Sequence, residues 1–103
     1  MVSLLMVGAG ARGATFADWA LRHPSDARVV AVADPRAVRR DRLGDAHGVP
    51  AGRRFAGWRE AAEAGRVADA AVIATLDRDH LEPAVALAEQ GYALLIEKPL
   101  APS

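Results

Sequence analysis

The chain has 103 residues, 13 basic and 13 acidic side chains and no cysteine, which is the length of one domain with one modest core. The missing cysteines exclude disulfides, thiolate metal sites and a cysteine nucleophile, and a formal net charge of zero provides no basic field for nonspecific binding to nucleic acid or anionic membrane. No apolar run reaches the roughly 20 residues of a membrane span, and the apolar start Met1 to Val7 lacks a basic flank and a small-residue cleavage site, so the expected location is the cytoplasm.

Short apolar runs alternate with helix-length segments, the pattern of parallel βαβ units. Ser3 to Val7 is a continuous apolar run stopped by Gly8, as in a central strand buried on both faces. A helix follows over Ala11 to Arg22, with Phe16, Ala17, Ala20 and Leu21 on one face and His23-Pro24 ending it. Arg28 to Ala33 predicts a second strand stopped by Asp34-Pro35, and Arg36 to His47 a second helix closed by Gly48, with Val38, Leu43 and Ala46 to bury. Arg53 to Ala56 has the length of a short third strand.

Trp58 to Ala64 predicts a short helix ended by Gly65, and Ala68 to Ala74 a fourth, buried strand. In the next helix Leu81, Ala84, Val85 and Ala88 follow the i, i+3, i+4, i+7 rule. Asp79 and Glu82 resemble a capping box there, Pro83 belongs in the first turn, and Gly91 stands where a C-cap belongs. Ala93 to Ile96 is the last predicted strand. The expected fold is α/β: a three-layer, doubly wound parallel sheet of the Rossmann type in the order 3-2-1-4-5, incomplete at its last strand. Trp19 and Trp58 are expected to cover helix–sheet packing.

Gly8-Ala9-Gly10-Ala11-Arg12-Gly13 fits G-x-G-x-x-G, follows a strand and opens a helix. In that context the first glycine makes the tight turn, the second lets backbone approach a pyrophosphate, and the third lets helix and strand pack closely. Asp34, about 20 residues on at the end of the next strand, is where an acid would bind the adenosine ribose diol. Beyond it Arg36, Arg39, Arg40, Arg42, Arg53 and Arg54 make the chain locally basic. They are either a solvated helix face or a grip on the 2′-phosphate of NADP. Asp34 favours NAD, whereas Arg36 leaves NADP open.

The segment Thr75-Leu76-Asp77-Arg78-Asp79-His80 follows the strand expected beside the first one, and Glu97-Lys98-Pro99 ends the last strand. Both border the switch point at which doubly wound sheets bind ligands. Lys98 is the only lysine beside 12 arginines. An ammonium there can donate to a substrate hydroxyl or carbonyl oxygen and stabilise the charge that develops during hydride transfer.

These residues together resemble the N-terminal domain of the glucose-fructose oxidoreductase, inositol dehydrogenase and rhizopine-catabolism (Gfo/Idh/MocA) family of nicotinamide-dependent oxidoreductases. The resemblance spans nearly the whole chain. It rests on Gly8, Gly10, Arg12 and Gly13, on Asp34, on Thr75 and His80, and most specifically on Glu97-Lys98-Pro99. It implies cofactor contacts at Gly8, Gly10, Ala11, Arg12, Gly13, Asp34, Arg36, Thr75, Leu76, His80 and Glu97, with Lys98 as the catalytic residue beside nicotinamide and substrate. Leu76 and Asp77 replace the family's usual proline and asparagine. A carboxylate at Asp77 either alters the field near the nicotinamide or caps the helix.

The resemblance also implies a sugar, polyol or related hydroxyl substrate. It implies a separate substrate domain beyond residue 103, so that residues 1–103 alone are expected to bind dinucleotide without turnover. The last strand would then be an uncovered edge, inviting a homodimer or larger assembly by edge pairing or segment exchange. No metal site is expected. Two other readings remain at this stage, a noncatalytic nucleotide-binding or oligomerising module and an S-adenosylmethionine-dependent methyltransferase.

Overall fold

The apolar runs pair as one parallel sheet. In the computed structural model, which describes residues 1–74 and 81–96 (the side chains of Ala11, Arg12, Ala14 and Leu81 excepted), the strands are β1 (Val2–Val7), β2 (Ala27–Ala33), β3 (Arg54–Phe55), β4 (Ala70–Ile73) and β5 (Ala93–Ile96). Their order is β3-β2-β1-β4-β5, all parallel, as expected for a doubly wound fold. The helices are α1 (Ala11–Arg22), α2 (Ala37–His47), α3 (Trp58–Glu63) and α4 (Leu81–Glu89). None of the described helices is long and apolar enough to cross a membrane.

Two apolar layers lie on the two sheet faces. Leu4, Met6, Val29, Val32 and Val72 pack with Ala17 and Ala20 of α1 and Leu43 of α2. Leu5, Val7, Ala31, Ala33 and Ile73 pack with Ala61 of α3 and Leu87 of α4. Along β1 and β2 the register runs Leu4↔Val29 and then Leu5↔Ala31, so Val30 is an unpaired extra residue, a β-bulge. At the amino end, Asp69 is tied to Ser3, whose backbone N–H and hydroxyl both donate to Asp69 Oδ2 at 3.1 Å.

Several faces differ from the sequence expectation. In α1, Leu21 is 47 % exposed and Trp19 lies outside the helix–sheet seam, stacked on the His23 ring at 4.3 Å. In α2, Val38 and Ala46 are exposed and only Leu43 carries the apolar contact. In α4 the buried face is Pro83, Ala84 and Leu87, while Val85 and Ala88 are exposed. This segment is apolar nearly all round, and the larger Leu87 wins the interior because it removes more area from water. The third strand shrinks to two residues behind a 3-10 turn at Ala51–Arg53. Trp58 does pack against the α3/α4 layer. Gly48, Gly65 and Gly91 follow α2, α3 and α4 with positive φ, the helix stops that the sequence predicts.

Candidate functional site

The strand order reverses between β1 and β4, and the loop leaving β1 stands there. Gly8 turns with φ +97°, a conformation that strains any L side chain, and its N–H donates to the Ala33 carbonyl at 2.8 Å. Gly13 lies one turn into α1, where a Cβ would fall 2.2 Å from the Gly8 carbonyl oxygen. The first and third glycines are therefore a single close contact between turn and helix. Gly10 differs from both. It has ordinary extended backbone as the N-cap of α1, and a Cβ on it would meet only the Arg39 guanidinium, with Nη1 at 3.1 Å.

No side chain caps α1 and no acid stands in its first turn. Among the described residues its first N–H groups thus have no side-chain cap, the physical basis of anion binding at a helix start. Ala11 and Arg12 belong to this turn.

Asp34 follows β2 and is 4 % exposed. Its Oδ2 accepts from the Ala9 N–H and its Oδ1 from the Arg36 N–H, both at 2.7 Å. The acid is clasped to the glycine loop through Ala9 and to the start of α2 through Arg36. Each oxygen keeps acceptor capacity for a further donor such as a ribose hydroxyl. Arg36 takes part here through its main chain, as the N-cap of α2, and its side chain is exposed.

The remaining arginines separate by environment. Arg40 Nη1 donates to the Asp34 carbonyl at 3.0 Å. Arg54 donates to the Val49 carbonyl at 2.9 Å and pairs with Asp45 at 3.0 Å, filling the space that Gly44 leaves open. Both hold α2 in place. Arg39 and Arg42 instead line a cleft of about 390 Å³ between α1 and α2, floored by Ala17, Leu21 and Leu43 and opening beside Ala9 and Gly10. His47 also faces it, and burial lowers its pKa, with Asp18 partly opposing the shift.

Sequence reasoning expects Asp34 at the end of the second strand, where the structure has it, but misses its clasp on Ala9, because the partner is a backbone N–H that any residue supplies. It also leaves the arginines unranked. Arg39 stands four residues before the buried Leu43 and, although exposed, lies on the cleft side of α2, a signal present in the sequence. Thr75, Leu76, His80, Glu97 and Lys98, with Asp77 and the Asp79 half of the capping box, lie outside the described residues. The strands leading to them end together, Ile73 pairing with Ile96, and the Ala74 N–H donates to the Val7 carbonyl at 2.8 Å.

The profile of the oxidoreductase family with an NAD-binding Rossmann fold, GFO_IDH_MocA, matches residues 2–103. The chain belongs to this family. Its domain is thus an NAD-binding oxidoreductase domain, which removes the methyltransferase reading. Among solved structures, it is similar to the WlbA dehydrogenase of Chromobacterium violaceum, solved with NADH and UDP-GlcNAcA (TM-score 0.84, 21 % identity, covering 97 % of this chain and 28 % of that one). It is also similar to the WlbA dehydrogenase of Bordetella pertussis, solved with the same two ligands (TM-score 0.83, 26 % identity, 97 % and 30 %). A third similar structure is a protein of Bordetella bronchiseptica RB50 assigned as a dehydrogenase (TM-score 0.80, 34 % identity, 95 % and 25 %). The chain therefore spans less than a third of the length of each of these proteins. Comparison with curated proteins gives no match.

The loop fits the family's cofactor. Gly8 and Gly13 are required by the fold, Gly10 is covered only by a movable side chain, and a clasped acid with spare acceptor capacity stands beside the loop, an arrangement compatible with a dinucleotide.

Proposed function

We propose that this domain holds a nicotinamide dinucleotide for hydride transfer to or from a sugar, polyol or related hydroxyl compound. Gly8 and Gly13 shape the loop, and the backbone at Gly10, Ala11 and Arg12 takes the pyrophosphate. Asp34 and Arg36 flank the adenosine ribose, and Thr75, Leu76, His80 and Glu97 line the nicotinamide side. The carrying observation is Gly10, the loop glycine for which neither backbone conformation nor packing against backbone gives a reason. A ligand that needs close backbone approach supplies one.

A bound nicotinamide supplies the site that accepts or donates hydride. The protein's part is orientation and charge. The Lys98 ammonium donates a hydrogen bond to the substrate oxygen and stabilises the negative charge that develops there. Positioning the substrate and excluding water require surfaces beyond these 103 residues. The isolated chain accordingly binds cofactor without turnover. The test is calorimetric titration with NAD beside assays of sugar and polyol oxidation. Absence of NAD binding would overturn the site, and significant turnover by the 103-residue chain would overturn the division of labour. Lys98→Ala is expected to keep NAD affinity within about threefold, consistent with a substrate-side group. A tenfold loss would reassign it to the cofactor.

We also assign the outer edge of β5 to a second copy of the chain. Among the described residues β5 pairs only with β4, and Leu95 and Ile96 are each 44 % exposed. Unpaired edges of this kind recruit strands. Sedimentation at increasing concentration checks this, and a monomer throughout would remove it.

A further inference from the structure

Asp34 is tied at each of its polar groups. Its N–H donates to the Phe55 carbonyl at 3.1 Å, and its two carboxylate oxygens accept from the Ala9 and Arg36 N–H groups at 2.7 Å. The partners in these three bonds are main-chain groups. The Asp34 carbonyl differs. It stands past the end of β2 and is followed by Pro35, which has no N–H to continue the sheet ladder. Its donor is a side chain, Arg40 Nη1 at 3.0 Å.

Arg40 lies one turn into α2, its own N–H bonded to the Arg36 carbonyl at 3.0 Å. From there its side chain runs back toward the helix start, the direction in which helical side chains lean. Arg39 and Arg42 of the same helix line the α1/α2 cleft instead. The Arg40 bond holds the plane of the Asp34–Pro35 peptide and hence the ψ of Asp34, while the Phe55 bond holds the φ side. With both sides of the α-carbon fixed, the Cα–Cβ bond of the acid has one direction. The bond is charge-assisted and Arg40 is half-buried, so it is stronger than an exposed, neutral contact.

We propose that Arg40 is a positioning residue for the ribose-reading acid: it acts on the cofactor through Asp34, by holding the carboxylate in line with the adenosine diol. This deepens the dinucleotide reading above and rests on it. The test is calorimetric titration of the parent chain, Arg40→Met and Arg40→Lys with NAD and with the NAD analogue that lacks the adenosine 2′-hydroxyl. Met keeps the apolar stem without a donor, and Lys keeps a charged donor without the fork. In the parent, loss of the 2′-hydroxyl should weaken binding about 10- to 100-fold, the scale of a hydrogen bond to a charged group. In Arg40→Met, NAD should weaken about 5- to 10-fold while the 2′-deoxy analogue changes by less than about twofold, so discrimination between the two shrinks. Arg40→Lys should fall between parent and Met.

A loosened helix would weaken both ligands alike, whereas a misplaced acid costs only the ligand that carries the hydroxyl. An unchanged ratio of the two constants in Arg40→Met, whatever the loss of NAD affinity, would overturn the proposal and leave the dinucleotide site standing. If Arg40→Met does not fold, the Arg40→Lys ratio decides on the same criterion. A parent that binds both ligands equally would overturn Asp34 as the ribose reader and the proposal with it. A folded parent that binds neither would overturn the site itself.

Discussion

The two faces of the sheet are held in different ways. On the α3/α4 side, polar side chains tie one segment to the next: Arg59 pairs with Glu82 at 2.8 Å, Gln90 donates to the Ala62 carbonyl at 2.7 Å, and the Tyr92 hydroxyl accepts the Val67 N–H at 2.9 Å. On the α1/α2 side the corresponding ties run within α1, as Arg22 with Asp18, or from α2 to the edge of the sheet, as Arg54 with Asp45. Between the two helices is the cleft, with Arg39 and Arg42 uncommitted. One face is closed by its own polar groups, whereas the other leaves cations uncommitted among the described residues.

The largest expected effect that tests this contrast is in the cores. Leu87 is fully buried in the closed face, and Leu87→Ala should cost about 2–5 kcal/mol. Leu43 borders the cleft, so Leu43→Ala should fall at the lower end of that range. Urea unfolding of the two variants measures the difference, and equal losses would break the comparison. Within the loop, Gly13→Ala forces a side chain onto the Gly8 carbonyl and should cost about 1–3 kcal/mol, together with cofactor binding. Gly10→Ala meets only a movable guanidinium, so stability should change by less than about 1 kcal/mol while NAD affinity falls at least about tenfold. Thermal melts beside NAD titrations separate the two glycines. A Gly10→Ala variant that binds NAD normally would contradict the site.

Smaller effects come from surface charge. Arg59→Ala removes an exposed ion pair and the guanidinium 4.8 Å over Trp58, and a loss of no more than about 1 kcal/mol is expected in denaturant titration. Burial lowers the pKa of His47 below the ordinary 6.5, so the unfolded chain takes up its proton first and stability declines as pH falls below that value. Asp69 is held below the ordinary 3.8, first by the Ser3 backbone N–H and then by its hydroxyl. Its contribution is present above 3.8 and lost as pH falls through the lower folded value. Melting temperatures across this range should show a loss removed by His47→Gln and a second, more acidic one removed by Asp69→Asn. A His47→Gln curve that follows the parent between neutral and mildly acid pH would contradict the first assignment.

The layout was legible where punctuation is strong. His23-Pro24, Gly48 and Gly91 bracket helices that the structure forms, and the strand order follows from the βαβ alternation. Facing was less legible. In α4 both Val85 and Leu87 belong to plausible stripes, and hydrophobicity alone does not choose between them. Trp19 looks like a core residue by size but lies flat on His23, a local i,i+4 contact that competes with the helix–sheet seam. At the site, side-chain chemistry identifies Asp34, while the donors that fix it are main-chain groups with no sequence signature.

The bulge in β2 decides the parity of that acid. Ala27 and Val29 pack on the α1/α2 side, Val30 and Ala31 both belong to the other side, and Val32 returns to the first. Unbroken alternation from Val29 would send position 34 away from Ala9. With one residue inserted, it arrives on Ala9's side and closes the clasp. The stretch from Val29 to Asp34 is consequently counted in odd and even. Removing Val30 would restore strict alternation and keep the acid on Ala9's side, whereas keeping all six residues without the bulge would turn it to the opposite face.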